Sequence, residues 1–420
     1  MTVRTNTHCS LSIAAGGSWV SDITTKALAD KTFTLSIQRN DEYDQRSVDL
    51  VISDSSERIK QTVTLVQSGY TPVYVDIPDE EFLSCLLDNW DVNGDGRIDE
   101  KEALSITAID CSGKSISSLK GIEHFINLTS LDCSKTKITN LDISKNDKLT
   151  SIKCKYCVGM TSVMLPNIAS IPSEAFMNCT GLQAIVLPET ITTLGANAFY
   201  GCANLNSLTI NSDIGGLDTS LYSDYFGGSP ISSLTIAGKA TGASFSDCTT
   251  LTNISIQAPI TSIRSFAGCS GLKYIGIPGS VTTLEQGCFF NCTNLISVSF
   301  PDEFSSLRTI KYRAFYGCSS LKLLDMTNCL EVSHIQASNP DCEDYSSNTP
   351  SYIFYGVQSI TINLGTRTTP TISGRDSSRM LYCYKKSYHS IALHVPTDCI
   401  DSYKANSSWY DSQYVTVESL

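Results

Sequence analysis

Leu182-Gln183-Ala184-Ile185-Val186-Leu187-Pro188 decides the fold, because 23 residues later Leu205-Asn206-Ser207-Leu208-Thr209-Ile210 repeats it in register. The L-x-x-I-x-I unit returns at Leu251/Ile254/Ile256, Leu272/Ile275/Ile277, Leu295/Val298/Phe300 and Leu321/Leu324/Met326. Looser copies stand at Ile138/Leu141/Ile143, Met160/Val163/Leu165, Ile231/Leu234/Ile236, Val357/Ile360/Ile362 and Leu393/Val395. The central residues 141, 163, 185, 208, 234, 254, 275, 298, 324, 360 and 393 are spaced 22, 22, 23, 26, 20, 21, 23, 26, 36 and 33 apart. Each unit is a short alternating strand, and one coil alone cannot cover its own apolar face. Coils with this period are stable only when stacked, so the pattern predicts a solenoid.

A second column keeps the same register. Cys157, Cys179, Cys202, Cys248, Cys269, Cys292 and Cys318 each stand six residues before a strand centre. Phe176, Phe199, Phe245, Phe266, Phe289 and Phe315 stand three residues before most of those cysteines. The coil centred on Leu234 is read with Tyr225 and Gly228 in these two slots, and the first coil puts Cys154 in the aromatic slot. Cys111, Cys133 and Cys154 form a further I/L-x-C ladder. Free cysteine packs as a small soft hydrophobe, so both columns read as core filler. Seven cysteines lie off the ladders: Cys9, Cys85, Cys288, Cys329, Cys342, Cys383 and Cys399. Cys329 with Cys342, or Cys383 with Cys399, are open to bridging, and the count leaves the redox compartment undecided.

Composition narrows the function. The chain has 420 residues, 17% charged and 41% hydrophobic, with a formal net charge of -12. That balance argues against nucleic acid, which needs clustered Lys and Arg, and against adsorption to anionic lipid. No apolar run reaches the roughly 20 residues of a membrane-spanning helix. Met1-Thr2-Val3-Arg4-Thr5-Asn6 lacks the apolar centre of a signal peptide. A secreted or outer-surface protein whose export signal has been removed is the favoured reading, with a cytoplasmic one as alternative.

Residues 1–72 carry no repeat. Phe33–Ile37, Ser47–Ile52 and Thr62–Val66 alternate as short strands between turn-rich pieces, which suggests a small Ig-like β-sandwich. Trp19 after Gly16-Gly17-Ser18, then Asn40, Arg46 and Thr62-Val63-Thr64-Leu65-Val66-Gln67-Ser68-Gly69, resembles a BACON domain. That resemblance implies carbohydrate or mucin binding; the plainer reading is a spacer, with Trp19 in its core rather than stacked on a sugar.

Residues 73–104 are read as linker, cap helix and metal loop. Glu81 to Trp90 places Phe82, Leu83, Leu86, Leu87 and Trp90 on one side of a short helix. Asp91-Val92-Asn93-Gly94-Asp95-Gly96-Arg97-Ile98-Asp99-Glu100-Lys101-Glu102 follows directly. Calcium takes six to eight oxygens, and an EF-type loop supplies them from positions 1, 3, 5, 7, 9 and 12. Here those are Asp91, Asn93, Asp95, the Arg97 carbonyl, Asp99 and Glu102, with Gly96 at the sharp turn and Ile98 as the apolar anchor. One structural calcium ion is expected. A single loop feeding a solenoid resembles the calcium loops of dockerin-like segments, and its expected task is to pin the helix as the solenoid's N-terminal cap.

Residues 105–395 are the solenoid, of about 21 to 26 residues per coil. From Ile168 the coil reads I-x-x-I-x(3)-A-F-x-x-C-x-x-L-x-x-I-x-L-P, which resembles the BspA-like leucine-rich repeats of bacterial surface proteins. Ser338 to Ser351 and Thr366 to Arg379 read as insertions that lengthen the last spacings. Residues 396–420, with Ile400-Asp401-Ser402-Tyr403-Lys404 and Ser408-Trp409-Tyr410, read as a closing cap.

The five histidines are scattered, and no H-E-x-x-H, G-x-S-x-G, phosphate loop or G-x-G-x-x-G after a strand is present. Cys154-Lys155-Tyr156-Cys157 has redox spacing, but both cysteines belong to repeat columns. No catalysis is expected. The fold class is mainly β. The resemblance implies a monomeric surface adhesin whose solenoid holds a host or bacterial protein; glycan capture by the N-terminal module, with the solenoid as stalk, is the alternative.

Overall fold

The computed structural model describes residues 2–4, 9–14, 18–25, 30–54, 58, 60–212, 225–238, 244–257, 259–336, 353–354, 356–366, 369–373, 390–406 and 415–420. It divides into two compact units. One comprises residues 1–75 with 91–102, the other 76–90 with 103–420. The chain thus sorts the acidic loop with the N-terminal unit and the helix before it with the solenoid.

In the N-terminal unit Cys9–Ile13, Arg46–Asp54 and Lys60–Gln67 form one three-stranded antiparallel sheet. Thr2–Arg4, Asp30–Ile37 and Val20–Thr25 form a second. Trp19, Val20, Val48 and Leu50 make the core, with Leu11, Ile13, Leu35 and Leu65 packed against it. Trp19 is only 6% exposed. The Arg46 guanidinium lies 4.4 Å from its ring centroid, held by hydrogen bonds to the Gln38 and Arg39 carbonyls at 2.7 and 2.9 Å. The indole is therefore core, the plainer of the two readings of the sequence.

The second unit begins with the helix Glu80–Trp90. Asp79 caps it, accepting a hydrogen bond from Phe82 N at 3.0 Å. Its other oxygen accepts from Ser117 N, Ser117 Oγ and Ser118 N at 2.9, 2.7 and 3.1 Å, which ties the helix start to the first coil. Burial opposes ionisation of Asp79, but these bonds outweigh it and hold the carboxyl below its usual range. Phe82 and Leu86 are fully buried, and the Phe82 ring lies 6.3 Å from that of Phe125.

The coils then stack as parallel ladders. Ala108–Asp110, Ser130–Asp132 and Ser151–Lys153 pair with Ile109, Leu131 and Ile152 aligned. Asn140–Asp142 pairs with Ser162–Met164. Ala184–Leu187, Ser207–Ile210, Ser233–Ile236 and Asn253–Ile256 run in one register through Ile185, Leu208, Leu234 and Ile254. Tyr274–Gly276, Ser297–Ser299, Leu323–Met326, Ser359–Leu364, Ser390–Val395 and Val415–Ser419 complete the series. The architecture is a leucine-rich-repeat solenoid.

Three details depart from the sequence reading. Leu324 pairs with Ile362, which pairs with Leu393, so the centre of that coil is Ile362 and not Ile360. A slip of two residues keeps the same side chains inward, which is why the pattern alone did not reveal it. The coil centred on Leu234 fills its aromatic slot with Phe226, stacked 5.1 Å from Phe199, and not with Tyr225. Its thiol slot holds the buried Ser229 and not Gly228. The coils also carry a second, two- or three-residue ladder: Ser170–Ile171 with Thr193–Leu194, and Ser262–Ile263 through Thr283–Leu284, Thr309–Ile310 and His334–Gln336 to Thr371–Ser373.

The columns line the core as expected. Phe245, Phe266, Phe289, Phe315 and Phe354 stack at 6.2, 6.0, 5.7 and 5.7 Å with planes within 15°. The thiols do more than fill space. Cys179, Cys202, Cys269, Cys292 and Cys318 donate to the carbonyls of Cys154, Phe176, Phe245, Phe266 and Phe289, one coil back. Ser229 Oγ does the same to Phe199 at 3.0 Å, which explains how a hydroxyl replaces a thiol there. Cys154 and Cys157 are both fully buried, in keeping with a core role. Cys329 is a buried free thiol, while Cys342, Cys383, Trp409 and Tyr410 lie outside the described residues, as does most of the two insertions. At the end Ile400–Ala405 forms a helix with Tyr403 buried, its hydroxyl donating to the Thr366 carbonyl at 3.3 Å. Val415–Ser419 adds one further strand, which the sequence reading had not named.

Candidate functional site

The acidic loop is shaped by its own backbone. Gly96 has φ +78°, a conformation that side-chain-bearing residues rarely adopt, and it turns the chain where the motif requires. Asp91 accepts from Asp95 N at 3.1 Å and Gly96 N at 3.0 Å. Asn93 Oδ1 accepts from Asp95 N at 2.9 Å, and Asp95 Oδ1 from Arg97 N at 3.0 Å. Ile98 is buried and anchors the loop, as expected.

The second half is a reciprocal helix cap. Glu102 N donates to Asp99 Oδ1 at 2.9 Å, and Asp99 N to Glu102 Oε2 at 3.0 Å, opening the helix Glu100–Ser105. Glu102 Oε1 meanwhile accepts from Val92 N at 2.8 Å, closing the loop end to end. Asp99 and Glu102 are both buried. The loop thus brings Asp91, Asn93 and Asp95 around one turn and joins Asp99 to Glu102. Arg97 contributes its carbonyl to the expected donor set, while its guanidinium stacks 4.4 Å from the Tyr74 ring centroid.

Donor types fit calcium: carboxylates, an amide oxygen and a carbonyl. Among the described residues no three His, Cys, Asp or Glu side chains are gathered in one cluster, and the loop carboxylates accept from backbone N–H groups.

Residues that the sequence reading missed support this loop from the N-terminal unit. Tyr43 OH donates to Asp99 Oδ2 at 2.7 Å, and Tyr74 OH to Asp95 Oδ2 at 2.9 Å. Burial first, then the Asp99 bond, raises the Tyr43 phenol well above its ordinary range. The Asp95 bond raises that of Tyr74. Lys101 donates to the Asp41 carbonyl and lies 4.3 Å from the Tyr43 ring centroid. Val75 N and Glu100 N complete backbone bonds to Ile98 and Val73 at 2.9 and 2.8 Å. No local signal marks Tyr43, which sits 56 residues before its partner.

The solvent side of the strand ladders is the second candidate surface. Ser207, Thr209, Ser233 and Thr235 alternate with buried residues there, and Asn253 and Ser255 with the half-buried Ile254 and Ile256. Val186 and Tyr274 stand on the same side, 50% and 62% exposed. Among the described residues no helix is long and apolar enough to cross a membrane.

This architecture defines a leucine-rich-repeat array. Residues 147–241 and 219–339 match, in six copies, the family described as the BspA type leucine rich repeat region. The coils over that stretch are repeats of this type. Internalin J of Listeria monocytogenes serotype 4b (strain F2365) is 33% identical over 101 residues, which are 24% of this chain and 11% of that protein. Among solved structures, a leucine-rich repeat protein from Bacteroides ovatus is 18% identical, with 76% of this chain and 88% of that one covered and a TM-score of 0.30. The functional domain of internalin J, described as including a cysteine ladder, is 18% identical over 79% of each chain, with a TM-score of 0.25.

Proposed function

We propose that the chain is a secreted or cell-surface binding protein, adhesive and without catalysis, whose solenoid engages a protein partner. The observation that carries this reading is the solvent side of the strand ladders. Small polar side chains there are punctuated by exposed Val186 and Tyr274. Tyr among Ser, Thr and Asn makes adaptable contact surface at low conformational cost, and stacked coils extend such a surface over many repeats. The similarity of one quarter of the chain to internalin J supports it. The alternative of a glycan-binding N-terminal unit gains nothing from Trp19, which is buried.

The test is adherence of beads coated with the full chain to epithelial cells, before and after surface proteolysis of the cells. Adherence should fall on proteolysis and on Val186→Glu with Tyr274→Glu. Adherence indifferent to both changes would end this reading.

On the loop, Asp91, Asn93, Asp95, Asp99 and Glu102 would hold one calcium ion together with the Arg97 carbonyl. The ion supplies a fixed positive charge that neutralises clustered carboxylates. Tyr43 and Tyr74 position two of those carboxylates from within the same unit. The ion's structural role is therefore directed to the N-terminal unit. This replaces the cap role expected from chain order, since Asp79 and Phe82 already fix the helix to the first coil.

A further inference from the structure

The second unit holds an open cavity of about 350 Å³ beside its first three strands, a volume within the range of small-ligand sites. Its walls come from two elements. The last turn of the helix Glu80–Trp90 gives Asn89 and Trp90, and the strands give Ser130, Asp110, Asp132 and Lys153. Strand alternation explains the second wall. Ile109, Leu131 and Ile152 point into the core, so Asp110, Asp132 and Lys153, aligned in the same register, stand outside as one row.

That row is chemically unusual. Neighbouring strands lie about 4.8 Å apart, so Asp110 and Asp132 are like charges side by side, an arrangement that costs stability. Lys153 offsets only part of it, its Nζ lying 3.8 Å from Asp132 Oδ2. One oxygen of each carboxylate is pinned by a backbone N–H, Ser112 N to Asp110 at 3.0 Å and Ser134 N to Asp132 at 3.1 Å. The bond from Ser112 holds the Asp110 carboxyl below its usual range. The row therefore presents two fixed carboxylate acceptors next to one ammonium donor.

Charge selects the ligand class. An anion would meet two carboxylates. A free cation would meet Lys153 as competitor and as a like charge. A neutral polyol meets neither objection: its hydroxyls donate to Asp110 and Asp132 and accept from Lys153 and the Asn89 amide. A pyranose also has an apolar C–H face, which half-buried Trp90 can cover with its indole.

We propose that this cavity is a carbohydrate site that takes a neutral pyranose, stacked on Trp90 and read by Asp110, Asp132 and Lys153. The site is separate from Val186 and Tyr274, so it and the protein-contact reading can fail independently.

The experiment titrates the full chain with the methyl pyranosides of glucose, galactose and mannose, followed by saturation-transfer NMR and tryptophan emission. At least one should bind and change the emission. Trp90→Phe should remove the emission change, and Asp110→Asn and Lys153→Met should each weaken binding about tenfold, the scale of one charge-assisted hydrogen bond. Thermal melts confirm that each variant is folded, and Ser297→Ala, far along the ladder, should bind as the parent does. Saturation by none of the three glycosides would overturn the proposal. So would affinity unchanged in both Asp110→Asn and Lys153→Met, or binding of methylammonium in place of every sugar.

Discussion

The middle coils and the N-terminal unit are both built from short strands, yet they are held together differently. In the coils each contact is repeated one coil away: Phe289 lies on Phe266 and Phe315, and Cys292 donates to the Phe266 carbonyl as Cys318 does to that of Phe289. Stability there is a sum over neighbours, so damage is local and graded. In the N-terminal unit one antiparallel core surrounds Trp19, and the acidic loop is joined to it by single contacts from Tyr43, Tyr74 and Lys101. There, few contacts carry much. Repetition makes a fold robust and easy to read, while singular contacts make it conditional.

The largest effect should come from breaking the phenyl column. Phe289→Ala removes a fully buried ring stacked on both sides and should cost about 3–5 kcal/mol in chemical denaturation. The loss should be confined to the solenoid, with hydrogen exchange in residues 9–54 unchanged.

Calcium should sharpen the contrast. Ion at a hundredfold excess over its dissociation constant should add about 2.7 kcal/mol by mass action, and Asp95→Ala should abolish that gain while changing little in chelator. Glu102→Ala should lose about 1 kcal/mol more in either condition, because Glu102 also closes the cap with Asp99. Equal losses for Asp95→Ala with and without calcium would remove the metal assignment.

The thiol ladder gives a smaller effect. Ser229→Ala removes the stronger of two donors to the Phe199 carbonyl, which keeps Cys202 N at 3.4 Å, and should cost about 0.5–1.5 kcal/mol, whereas Ser229→Cys should restore the pattern of the neighbouring coils. The ladder also makes the solenoid sensitive to alkali. Burial raises the Cys248 and Cys202 thiols to about 11 and about 12. The folded state thus prefers them protonated, so their contribution is complete below the unfolded thiol pKa of about 8.5 and is lost as pH rises through the folded values. Urea titrations between neutral and alkaline pH should show the solenoid weakening over that window.

Smallest is the helix cap. Asp79→Ala should cost about 1 kcal/mol at neutral pH. Hydrogen bonds to Ser117, Phe82 and Ser118 lower the folded pKa of Asp79. Its contribution is therefore present above the unfolded carboxylate value of about 3.9 and fades as pH falls through the folded one. The difference between variant and parent should vanish in that acid window.

Legibility followed the same division. The solenoid and its phenyl column could be read because period and spacing are local. The coil centred on Leu234 was misread by one residue because its thiol-slot residue Ser229 stands five, not six, residues before the strand centre, and counting back six lands on Gly228. Ile360 and Ile362 alternate inward on one strand, so only pairing across coils could choose between them. The assignment of the loop to the N-terminal unit was invisible, since Tyr43 and Asp99 are distant in sequence and no period links them.

Hydrogen exchange with and without calcium tests the account most directly. Protection should rise in residues 9–54, 60–75 and 91–102 and stay constant in residues 184–326. Protection gained instead in the helix Glu80–Trp90 and the first coils, with none in the N-terminal unit, would contradict it.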